Sequence, residues 1–141
     1  MLPIEIKSTG TLVDEMITAE FKIDAGNEAA KDRRHALGNA VQGRTLSLVK
    51  DMPRYREFMK LIEELRVVLK ECWDAQQAVH GTPIVNYSGE MSEDELMGNI
   101  IAVAKAGRKA QETNAQRNII IRRIDDVLQE ASNSQLEKTY G

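Results

Sequence analysis

The chain has 141 residues, with 22 acidic against 19 basic side chains and a formal net charge of -3. That length fits one domain, 1–141. A 42% hydrophobic and 29% charged composition excludes a disordered chain, and the acidic balance argues against a generic duplex-DNA binder. Aromatics at 4% leave an aliphatic core that suits helices better than a sheet, and the lone Cys72 excludes an intrachain disulfide or a cysteine-built zinc site.

Taken in chain order, residues 1–9 read as an extended segment. Ile4 and Ile6 alternate around Glu5 with the period of a strand, and "PIVNY" at 83–87 is the other strand-like stretch, so the two are expected to pair as a minor two-stranded ribbon. Thr11 is the expected cap of a first helix, with Asp14 three places on completing a capping box. Leu12, Met16, Ala19 and Ile23 share one face of that helix, and Val13, Ile17 and Phe21 the neighbouring one. "DAGNE" at 24–28 breaks it, since Gly costs about 1 kcal/mol in a helix interior.

A second helix is predicted from about Glu28 to Lys50, with Leu37, Val41, Arg44 and Leu48 on one side. "DMP" at 51–53 closes it and opens the third, because Pro is tolerated in a first turn. There Phe58, Ile62, Leu65, Leu69, Cys72, Gln76 and Val79 recur at alternating spacings of four and three, the seam of a helix lying along a partner. Gly81 and Pro83 end it near His80. The last helix opens at "SEDE", with Ser92 as cap and Glu95 three residues on, and no Pro interrupts it up to about Ala131. Residues 132–141 read as a frayed tail.

In heptads the last helix places Ile100, Val103, Gly107, Ala110, Asn114, Arg117, Ile121, Ile124 and Leu128 on one seam. Its two ends are apolar and its centre polar. Asn and Arg buried among aliphatics cost several kcal/mol unless they are hydrogen-bonded or paired, so something must meet them. One answer is register: Asn114 fixes the oligomer and Arg117 pairs with a carboxylate of a neighbouring helix, Glu63 or Glu64. The other is a ligand site, in which Asn114, Arg117 and Asn118, with Arg44 as a second arm, donate to phosphate or carboxylate.

The segments "TGTLVDEMITAEFKI" and "AQETNAQRNIIIRRIDDVL" resemble a group of uncharacterised helical proteins of bacteria and bacteriophages. The leading motif of that group, G-x-L-hydrophobic-D-x-hydrophobic-(S/T)-I, is met here by Gly10, Leu12 and Asp14. Its closing motif, N-x-x-R-N-x-x-I-x-x-I-D, is met by Asn114, Arg117, Asn118, Ile121, Ile124 and Asp125. The resemblance carries no activity to transfer; it implies a helical fold and a phage origin.

Several chemistries lack their residues. The two histidines, His35 and His80, sit on a polar face and at a helix end, and no HExxH, GxxxxGK or GxGxxG occurs. The basic run "KDRRH" (31–35) and Arg122 with Arg123 are interleaved with acids, as on a salt-bridged surface, and no aromatic platform accompanies them. The expected fold is therefore all-α: an antiparallel bundle of three to four helices with one long C-terminal helix and the minor ribbon. The expected role is a non-enzymatic binding protein, a homo-oligomeric sponge for a small anionic ligand such as a nucleotide. No cofactor, metal or catalytic residue, no membrane span and no sequence-specific nucleic acid is expected, and the compartment is the cytoplasm, that of the host if the protein is phage-encoded. The alternatives are a Mg²⁺-dependent all-α nucleotide pyrophosphohydrolase using carboxylates of "EELRVVLKE" (63–71) with those of "EDEL" (93–96) or with Asp125 and Asp126, and a structural or assembly protein.

Overall fold

A computed structural model describes residues 3–130 of the chain; the predicted tail at 132–141 lies outside them. Among the described residues there are helices and no strand: α1 (Thr9–Asp24), α2 (Ala30–Thr45), α3 (Met52–Gly81) and α4 (Glu93–Val127), with short 3₁₀ turns at Ile4–Ile6 and Leu46–Lys50. No helix among these residues is long and apolar enough to cross a membrane.

The predicted ribbon does not form, and the reason lies in where the backbone groups go. Ile4–Ile6 winds into a turn in which Ile6 N–H donates to the Pro3 carbonyl and Lys7 N–H to the Ile4 carbonyl, both at 3.2 Å. The Arg44 guanidinium then takes the Ile4 and Lys7 carbonyls that a strand partner would need. The 83–87 segment is an irregular loop. Its Asn86 carboxamide holds both backbone groups of Met91, accepting its N–H at 3.2 Å and donating to its carbonyl at 2.7 Å.

Capping chemistry sets the helix limits. α1 begins earlier than expected because Ser8, not Thr11, is its cap, the Ser8 hydroxyl accepting the Thr11 N–H at 3.3 Å. It ends where Gly26 takes φ +98°, a conformation that suits only a residue without Cβ, and Asn27 N–H closes back on the Lys22 carbonyl at 2.9 Å. The Asp51 carboxylate accepts the Arg54 N–H at 3.3 Å at the start of α3, and Ser92 caps α4 as expected, accepting the Glu95 N–H at 3.1 Å. α4 stops short of Ala131 because Gln129 adopts φ +58° and Glu130 N–H returns to the Asp125 carbonyl at 2.8 Å.

The chain divides into two compact units. One runs up to Arg66 and resumes at Arg117; the other is Val67–Gln116. The first has its core in Leu12, Val13 and Ile17 of α1, Leu37 of α2, Leu48 of the Leu46–Lys50 turn, Phe58, Leu61 and Leu65 of α3, and Ile120 and Ile124 of α4. Full burial of each such side chain stabilises by roughly 1.5–3 kcal/mol. Helix α1 is the hub of this unit. Its Glu20 carboxylate receives Arg34 of α2 at 2.9 Å and Arg66 of α3, while Asp14 and Gly10 are bonded to α4. Gly10 meets Asp125 and Asp14 meets Arg117, so numbers rise on α1 as they fall on α4 and the two helices run in opposite directions.

The second unit is built on less. Leu69, Cys72 and Ala75 of α3 are its buried apolar residues. On α4 the covered line is Leu96, Asn99, Val103, Ala106, Ala110 and Thr113, all half-buried or buried, whereas Ile100 and Asn114 are exposed. In the first unit that line continues through Arg117, Ile120, Ile124 and Val127. The predicted seam therefore has one row right, Val103, Ala110, Arg117 and Ile124, while in the other row Gly107, Ile121 and Leu128 are half-buried and Ile100 and Asn114 are exposed. Thr113 takes the covered place foreseen for Asn114 because its hydroxyl donates to the Lys109 carbonyl at 2.8 Å, which leaves no unmet polar group on the seam.

Candidate functional site

The two sequence motifs at opposite ends of the chain meet in the first unit. Asp14, 4% exposed at its side chain, receives Nε and Nη2 of Arg117, each at 2.6 Å, in a two-pronged pair. Such a pair matches the planar fork of arginine to the two carboxylate oxygens, which a lysine cannot do. One turn earlier on α1, the Gly10 N–H donates to Asp125 Oδ1 at 2.8 Å. The pairing foreseen for Arg117 is thus met by Asp14 rather than by Glu63 or Glu64.

Asp125 is 1% exposed, and burial pushes its carboxyl up to about 6, against the pull of its bonds to Gly10 N–H and the Ser8 hydroxyl. Raised in this way, the group favours the folded state when protonated. Its contribution is complete below the ordinary aspartate range and is lost as pH rises through about 6. Urea denaturation of the wild type and of Asp125→Asn at pH 5 and pH 7 is expected to show the wild type gaining about 1 kcal/mol on the variant at the lower pH. An unchanged gap would mean that Asp125 titrates as an exposed carboxylate.

Of the four candidate ligand residues, Arg44 is committed to the N-terminal turn, donating to the Ile4 carbonyl at 2.9 Å and to the Lys7 carbonyl, with Glu130 at 3.4 Å. Asn114 and Asn118 stand on the exposed side of α4. Arg117 borders a cavity. This groove, of about 330 Å³, lies between α1 and the start of α2 and is lined by Asp14, Glu15, Thr18, Ala19, Lys22, Asn27, Ala29, Ala30, Arg33, Leu37 and Arg117. Its size is at the lower end for a small-molecule site.

Charge in the groove is unbalanced. Asp14 is answered by Arg117, and Glu15 by the buried Lys7 at 2.6 Å, with Arg33 at 3.5 Å. Lys22 makes no ion pair among the described residues, so the wall keeps a positive surplus. The start of α2 also borders the hollow: Ala29 and Ala30 line the groove, and the Ala30 and Lys31 N–H groups donate to the Asn27 and Glu28 carbonyls at 3.2 and 3.1 Å. No family model, curated protein or solved structure matches the chain.

Lys22 and Arg33 were legible only as surface charges, the first at the end of a helix and the second inside an interleaved run. The "DAGNE" break was the signal: a tight turn there must fold α2 back beside α1, which sets the last turn of one helix by the first turn of the other. Among the described residues no three Asp, Glu, His or Cys side chains converge with metal-ligand geometry. Glu63 is exposed and Glu64 half-buried on α3, and both histidines are exposed.

Proposed function

We propose that the chain is a non-enzymatic binding protein that holds the phosphate end of a small nucleotide-like ligand in the groove between α1 and α2. The observation that carries this reading is the convergence of Lys22, Arg33 and Arg117 on one hollow beside the start of α2. Arg117 enters already aligned by Asp14, so its ordering cost is met before a ligand arrives. No aromatic side chain lines the groove, so a base has no ring to stack on, and recognition falls on the anionic end.

Isothermal titration with orthophosphate, pyrophosphate and nucleoside mono-, di- and triphosphates tests the proposal, with citrate as the carboxylate control. Affinity is expected to follow phosphate number and to be indifferent to the base. A Lys22→Ala/Arg33→Ala variant removes two charge-assisted contacts without touching the Asp14–Arg117 pair, and its binding is expected to weaken at least about tenfold. Absence of heat from every compound, or heat that the double variant leaves unchanged, would overturn the assignment.

A further inference from the structure

Helix α4 carries a second apolar line on the side away from its covered one. Asp94, Met97, Ile101, Ala104 and Arg108 follow one another at spacings of three and four within the Val67–Gln116 unit, the repeat of a helix-pairing seam. Met97 is 57% and Ile101 49% exposed, and the neighbouring Ile100 44%. A shallow hollow of about 260 Å³ runs along this line between Ile101, Ala104, Lys105 and Arg108.

The charges at the two ends of the line decide what covers it. Glu93, Asp94 and Glu95 form the acidic first turn, and Lys105 and Arg108 stand at the other end. None of these five makes an ion pair among the described residues, although Lys109 beside them does, with Glu71 at 3.3 Å. The face thus holds its own complement in reverse order. Rotated by half a turn about the middle of the apolar stretch, a second copy sets its acidic end on the basic end of the first, twice over, with the Met and Ile side chains meeting between.

We infer that this face of α4 joins two copies of the chain in an antiparallel, two-fold symmetric dimer. The symmetry makes one patch serve both partners, so each residue contact occurs twice. It also uses a face other than the line that carries Thr113 and Arg117, and the inference stands independently of the ligand groove.

Sedimentation equilibrium of the full chain across a wide concentration range is expected to give twice the 15.8 kDa of the monomer. Ile101→Glu is expected to weaken self-association at least a hundredfold while its helical circular dichroism stays unchanged, since residue 101 is already half in solvent. The charges supply a sharper control. Asp94→Arg and Arg108→Asp should each weaken the dimer roughly tenfold, and the two together in one chain should restore it, because the swapped ends again oppose each other. A monomer at every concentration, a dimer indifferent to Ile101→Glu, or single charge reversals that strengthen association, as a parallel pair requires, would each overturn the proposal.

Discussion

Gly10→Ala is expected to lower the stability of the fold by about 3 kcal/mol, although the same change in an exposed helix would stabilise it by about 1 kcal/mol. A Cβ at position 10 would sit 2.7 Å from Asp125 Oδ1 and closer still to the Ile121 carbonyl oxygen. The carboxylate can swing away only by abandoning the Gly10 N–H, and the carbonyl belongs to the backbone of α4 and cannot yield without moving the helix. The opposed signs make the measurement decisive. Equilibrium urea unfolding that finds the alanine variant equal to or more stable than wild type would show that α1 and α4 do not approach this closely.

The second large effect concerns the ion pair. Arg117→Met leaves the Asp14 carboxylate buried without its two-pronged partner and is expected to cost about 3 kcal/mol, the lower part of the range for breaking a buried pair, because the guanidinium is itself 32% exposed. Arg117→Lys is expected to recover less than half of that loss, since an ammonium cannot reach both oxygens along the same plane. Asp14→Leu together with Arg117→Met removes both charges and replaces them with apolar volume. That double variant is expected to come within about 1 kcal/mol of wild type, because no unpaired charge is left in the core. Losses in the double variant equal to the sum of the singles would mean that the two residues act separately.

These two contacts also show how far the sequence could be read. The helices, the break at 24–28, the cap at Ser92 and the core row through Val103, Ala110, Arg117 and Ile124 follow from local periodicity and turn chemistry, which are properties of neighbouring residues. Arg117 was recognisable as a group that needed a partner, but its partner lies 103 positions away on α1, and no spacing rule reaches that far. Thr113 and Asn114 differ by one place on the helix surface; only a hydroxyl that bonds back to its own helix explains why the covered row takes the threonine. The alternation of Ile4 and Ile6 was genuine. It lost to the pull of Arg44 on the carbonyls beside it. The groove was least legible, because it exists only once a turn of five residues has set Lys22 across from Arg33.

The bond from Gly10 to Asp125 and the pair between Asp14 and Arg117 close loops of 115 and 103 positions. Bringing ends that far apart together costs roughly 4 kcal/mol of chain entropy before either contact can repay it. During translation at roughly 5–20 residues per second, the first helix must therefore wait on the order of 5–20 seconds for the segment that supplies Arg117 and Asp125. A nascent chain paused before codon 117 carries Asp14 without its guanidinium partner. This half of the molecule is consequently assembled only after its last helix has left the ribosome, and slowing synthesis ahead of that point is expected to raise its dependence on holding factors.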